Sequence, residues 1–226
     1  MAKPVSKATA AKETAMRQAV ISTASAMSQR GLSPGRSGNV SARWQTGMLI
    51  TPSGMPYDEI VPTDVVFVNA DGGVAANARK PSSEWRFHLA AYAVRLDIAA
   101  IVHTHSLHAT VLACAHKAIP PFHYMVAVAG GADIPCVPYA TFGTEELSRH
   151  VAEGLKARDA CLMANHGAIA VGESLGAALE LAVEVEVLAE QYFKVLLLGE
   201  PKLLSAEEMA MVLEKFRRYG QRGQGW

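Results

Sequence analysis

The chain has 226 residues, half of them apolar and 19% charged, and its 21 basic residues balance its 21 acidic ones. A chain of this length fits one domain with a sizeable core, and zero net charge removes the electrostatic argument for a nucleic-acid or anionic-membrane partner. No apolar run approaches the roughly 18 residues of a membrane span, and no signal-peptide core opens the sequence, so a cytoplasmic protein is expected.

The opening MAKPVSKATAAKETAMRQ is basic and rich in Ala, Ser and Thr. Residues 1–14 read as a flexible extension leading into a helix over 11–30, which Gly31 ends. LSPGRSGNVSAR is dense in Gly, Ser and Pro and reads as a loop. MLITPSG reads as a short strand stopped by a turn, and VVFVNADGG as a second strand closed by Asp-Gly. A helix is expected over 84–96, because Trp85, His88, Leu89, Tyr92 and Leu96 fall on one face. DIAAIVHTH is a strand and IPCVPYA an extended piece, after which Thr144 can cap a helix carrying Leu147, Val151 and Leu155. CLMANHGAIAV reads as two strands around a tight Asn-His-Gly turn. A long helix over Ser174 to Leu198 is ended by Gly199 and Pro201, and a last one starts at Ser205 with Glu208 completing a capping box. Strands and helices intermix without a strict βαβ rhythm, which predicts an α/β protein with a mixed sheet covered by helices. One domain over 15–220 and a tail over 221–226 follow. Cys114, Cys136 and Cys161 lack C-x-x-C spacing and sit among apolar neighbours. They read as small buried hydrophobes of a reducing compartment.

The apolar run AAIVHTHSLHA raises the chemical question. On a strand, side chains alternate faces, so His103 and His105 point the same way, about 6.5 Å apart along the backbone. Two imidazoles so placed can grip one metal ion, but two ligands do not make a zinc site. His166 is the best third ligand, since a turn between apolar strands gives a histidine no packing role and Gly167 permits close approach. Three neutral imidazoles with one open position make a catalytic zinc arrangement. His88 reads as a core histidine, His116 and His150 as surface residues, and His108 and His123 have no spacing argument.

A metal with an open position stabilises a developing oxyanion but removes no proton from carbon. Glu84, in PSSEWRFH, can do so at the start of its helix, behind Ser82 and Ser83, whose hydroxyls and N–H groups lie where phosphates bind. The loops SGNVS and TPSG have the same character. No Lys or Arg cluster accompanies them, so the donors to a phosphate would be uncharged.

Taken in order, SGNVS, MLITPSGMPY, KPSSEWRFHLAAY, IVHTH, IPPFHYMVAVAGG, IPCVPYATFGTEELS, NHGAIA and LEKFRRYG resemble the class II aldolase and epimerase family over residues 15–220. The resemblance implies a three-layer α/β/α fold with a mixed, mostly antiparallel sheet, assembled as a homotetramer with sites at subunit interfaces. It implies Zn2+ held by His103, His105 and His166, with Glu84 as the acid–base group. Asn39, Ser53, Gly54, Ser82 and Ser83 match phosphate-binding positions, and Tyr124 a tyrosine that serves a neighbouring subunit's site. Phe142 and Tyr219 match aromatic residues of the aldehyde pocket. The expected reaction is reversible retro-aldol cleavage of L-fuculose 1-phosphate, or a related ketose 1-phosphate, to dihydroxyacetone phosphate and L-lactaldehyde. Rivals are a ribulose-phosphate 4-epimerase, a sugar-phosphate dehydratase or decarboxylase, and a non-catalytic interaction domain. The epimerases carry Asp where this chain has Glu84.

Overall fold

In the computed structural model, which describes residues 7–218, seven strands form one sheet in the order β3-β2-β1-β4-β7-β6-β5. They are β1 (Asn39–Trp44), β2 (Gly47–Ile50), β3 (Val66–Asn69), β4 (Ala100–Thr104), β5 (Cys136–Val137), β6 (Ala160–Met163) and β7 (Gly167–Gly172). Only the β5–β6 pair is parallel, so the sheet is mixed and mostly antiparallel, as expected. Six α-helices are described: α1 (Lys7–Gln29), α2 (Trp85–Val94), α3 (Leu107–Cys114), α4 (Glu145–Leu155), α5 (Leu175–Leu198) and α6 (Ala206–Arg218).

Alternation along the strands feeds two cores. Val40, Ala42, Val102, Ala168 and Ala170 face α1, α3 and α5 on one side. Ile101, Ile169, Val171 and Met163 face α2 and α4 on the other. Three layers result, because the sheet buries both of its faces and each face needs a helical cover.

The caps read from the sequence are present. Thr144 Oγ1 accepts from Leu147 N at 3.2 Å, Ser174 Oγ from Ala177 N at 3.1 Å, and Ser205 and Glu208 exchange bonds at 2.9 and 3.2 Å. Several expectations need correction. The first helix starts at Lys7, so part of the supposed extension is helical. The second half of the supposed loop LSPGRSGNVSAR is β1, whose polar Asn39, Ser41 and Arg43 disguised a strand buried between β2 and β4. Helix α3 had no signal in its short apolar run. Helix α2 ends at Val94, and Leu96 lies beyond it, 82% exposed. Only Cys161 is buried, while Cys136 is partly covered and Cys114 exposed.

Candidate active site

Strand register builds the centre. Asn39 pairs across the β1–β4 ladder with His103, which pairs across the β4–β7 ladder with Ile169. His103 points to the α2 face with Ile101, and His105 follows the last residue of β4. The β6–β7 hairpin brings His166 back beside them through a turn in which Asn165 adopts φ 54°. Gly167 allows this approach: a Cβ there would stand 2.3 Å from Thr104 O. The three imidazoles pack edge to face, with ring centroids 4.8–5.0 Å apart.

Glu84 immediately precedes α2 and reaches into the same point. Its carboxylate oxygens lie 3.1 Å from His103 Nε2 and 2.9 Å from His166 Nε2, while His103 Nε2 and His105 Nε2 are 3.0 Å apart. All four donor atoms fall within 4.8 Å of one another. The donor chemistry fits a cation. His103 Nδ1 faces the Ala168 carbonyl at 2.9 Å, which can only accept, so the ring proton sits there and the Nε2 lone pair faces a carboxylate and another imidazole. Such a cluster of acceptors lacks protons of its own and is complete with a positive ion at its centre. A carbonyl or carboxylate behind each ligand is the usual way a metal-binding imidazole is held in one tautomer.

Burial alone would raise the Glu84 pKa, but His103 and His166 outweigh it and hold the carboxyl far below its ordinary range. Burial, then the neighbouring rings, pushes His105 down to about 3, leaving it a neutral ligand.

Around the cluster opens a pocket of about 520 Å³ lined by Ser53, Gly54, Ser83 and Phe142, and also by Arg36 and Tyr139. Among the described residues lining it, Arg36 alone carries a fixed positive charge; its Nη1 donates to Gly54 O at 2.7 Å. Among the described residues no Lys or Arg cluster lines this pocket, and Arg36 adds a single fixed charge that the reading of uncharged donors did not include. Arg36 sat in a stretch read as loop, where no periodicity marks what a side chain faces.

Other expected residues stand elsewhere. Ser82 is buried, its Oγ accepting from Glu84 N at 3.3 Å, so it shapes the chain before α2. Asn39 is buried behind the cluster, its amide donating to Glu84 Oε2 at 2.8 Å and accepting from His88 Nε2 at 2.6 Å. Tyr124 opens a 3-10 turn, is 51% exposed, and does not line this pocket. Tyr219 lies outside the described residues. His108 is bound to Glu186 and His123 caps the 3-10 turn, so neither belongs to the centre. His116, read as a plain surface residue, holds the Asn165 side chain at 2.6 Å and so braces the turn that carries His166.

Residues 18–193 match the family model for the class II aldolase and adducin N-terminal domain. A 5-methylthioribulose-1-phosphate/5-deoxyribulose-1-phosphate aldolase of Rhodospirillum rubrum is 52% identical over 210 residues, covering 93% of this chain and 95% of the relative. An L-fuculose phosphate aldolase of Escherichia coli is 51% identical over 204 residues, covering 90% of this chain and 94% of the relative. A solved L-fuculose 1-phosphate aldolase superposes with a TM-score of 0.86 at 40% identity, over 90% of this chain and 96% of that one.

Proposed function

Because the chain belongs to the family of class II aldolase and adducin N-terminal domains and is a class II aldolase, we propose that it uses zinc to cleave L-fuculose 1-phosphate reversibly to dihydroxyacetone phosphate and L-lactaldehyde. The observation that carries this reading is the convergence of His103, His105, His166 and Glu84 on one proton-poor point beside an open pocket.

His103, His105 and His166 would hold the zinc, which would supply a Lewis acid to stabilise the negative charge that develops on the ketose oxygens. The protein supplies the rest. Ser53, Gly54, Ser83 and Arg36 line one pocket with the cluster and together offer donors to a phosphate group. Glu84, released from its imidazole partners when a substrate takes its place, delivers a proton to the carbon left behind when the carbon–carbon bond breaks, and removes one in condensation. Tyr124, exposed on a single chain, reaches a neighbouring subunit's site of a homotetramer, where it takes the proton of the hydroxyl that becomes the aldehyde in cleavage and returns it to the aldehyde oxygen in condensation.

A second reading has specific support. The relatives sharing about half their residues with this chain divide between fuculose phosphate and two ribulose 1-phosphate derivatives, and 5-deoxyribulose or 5-methylthioribulose 1-phosphate would also release dihydroxyacetone phosphate. All these sugars end in an apolar group. Tyr139 and Phe142, exposed aromatic side chains on the pocket wall, suit such an end.

The test is metal analysis of dialysed protein combined with release of dihydroxyacetone phosphate from the fuculose, 5-deoxyribulose and 5-methylthioribulose 1-phosphates. Stoichiometric zinc and highest kcat/KM on fuculose 1-phosphate are expected. A higher value on either ribulose derivative would shift the reading to the second, and inactivity on all three with metal bound would end both.

A further inference from the structure

His88 is wholly buried and plays no part in the function proposed above. It lies at the centre of a hydrogen-bonded chain that ends on Glu84. Tyr92 OH lies 3.0 Å from Ser41 Oγ, Ser41 Oγ 2.7 Å from His88 Nδ1, His88 Nε2 2.6 Å from Asn39 Oδ1, and Asn39 Nδ2 2.8 Å from Glu84 Oε2.

The chain exists because two periods match. Glu84, the N-cap residue of α2, and His88 and Tyr92 within it form one stripe, spaced four residues, or about 6 Å, apart. Asn39, Ser41 and Arg43 share one face of β1, spaced two residues, or about 6.6 Å, apart. The helix therefore lies over the strand with its rungs in register: Asn39 with Glu84, Ser41 with His88, and Arg43 over the Tyr92 ring at 4.6 Å.

Its direction is determined. An amide oxygen only accepts, so His88 Nε2 carries a proton toward Asn39 Oδ1. Burial keeps His88 neutral, pushing its pKa down to about 3, so Nδ1 is bare and accepts the Ser41 hydroxyl proton. Ser41 Oγ then accepts from Tyr92. The two orientations of an asparagine amide are nearly isosteric, and only partners choose between them. Reversed, Asn39 would set its oxygen against the Glu84 carboxylate, two acceptors face to face.

We propose that His88, backed by Ser41 and Tyr92, is a positioning residue that locks the Asn39 amide with its NH2 toward Glu84 and so orients the carboxylate for proton transfer at carbon. The inference rests on the aldolase reading for the role of Glu84. His88→Leu fills the space without the donor; it should lower kcat for cleavage and the rate of solvent-proton exchange into dihydroxyacetone phosphate by about 10–100-fold, the usual cost of losing such an outer partner. KM and metal content should stay at parental values. His88→Gln, whose amide can donate to Asn39 Oδ1, should recover most of the rate, and Ser41→Ala should lose less than His88→Leu. Long-range proton–nitrogen NMR of the parent protein should find His88 as the Nε2–H tautomer.

An Nδ1–H tautomer would overturn the proposal, as would parental exchange rates in His88→Leu, or a rate loss in step with lost metal. If His88→Leu does not fold, Ser41→Ala and the tautomer decide. Failure of the parent protein to cleave any ketose 1-phosphate would instead strike the functional reading, leaving the tautomer measurement to judge the network.

Discussion

Replacing Gly167 by alanine should disrupt the proposed zinc site with little damage elsewhere. Gly167 opens β7, and an added Cβ would stand 2.3 Å from Thr104 O and 3.3 Å from His105 Cδ2. The nearer atom belongs to the backbone of β4, so relief requires the two strands to part by roughly 1 Å, since nonbonded carbon contacts settle near 3.5 Å. His105 follows Thr104 and His166 precedes Gly167, so the displacement falls on two of the three imidazoles at once. Metal sites tolerate about ±0.2 Å in ligand distance, and a 1 Å misplacement at a catalytic centre can cost about 100-fold. The expected result is a loss of zinc affinity of at least about tenfold, read by competition with a chromophoric chelator. Overpacking should cost about 1–3 kcal/mol in the metal-free protein, or roughly 2–4 °C of melting temperature per kcal/mol. Gly176→Ala in α5 is the control: its nearest neighbour is Ser174 Oγ at 3.9 Å, so the change should leave affinity untouched. Parental zinc affinity in Gly167→Ala would refute the reasoning.

His103→Ala and His166→Ala should each remove zinc while a cooperative melt remains, because the two apolar cores do not depend on the metal; full metal content after dialysis would count against the ligand set. Arg36→Gln should raise the inhibition constant of inorganic phosphate and flatten its salt dependence, leaving zinc content unchanged; an unaltered constant would remove Arg36 from phosphate recognition. Glu84→Gln should lower both cleavage and proton exchange on dihydroxyacetone phosphate by about 10²–10⁴-fold. Tyr124→Phe should slow cleavage yet spare that exchange, in which no aldehyde takes part, so equal losses in both assays would cancel the division of labour.

Most of the fold was legible where amphipathic period and caps coincide. Helices α4, α5 and α6 each announced a side-chain cap, and the apolar runs of β4, β6 and β7 could only be buried strands. The misreading of β1 has a tertiary cause. Strand β1 carries Asn39, Ser41 and Arg43 toward α2, and polar residues next to Gly, Ser and Pro look like a loop unless their partners are known. Burial of such a face is stable only because His88, Tyr92 and Glu84 satisfy it. That satisfaction is a tertiary fact, absent from any local window.

The same distinction separates what was readable in the site from what was not. The convergence of His103, His105 and His166 was readable because a packed strand and a tight turn otherwise avoid histidine. Glu84 was readable from its position before a helix. His88 was read as a core histidine, and it is one by burial. Yet a core histidine needs partners for both nitrogens, and the match between four helical residues and two strand residues hands it Ser41 and Asn39, the second of which touches the Glu84 carboxylate. An unassigned buried polar residue on the same helical stripe as a candidate base thus has a reason to be there: leucine would pack as well but would leave the Asn39 amide free to turn its oxygen on Glu84.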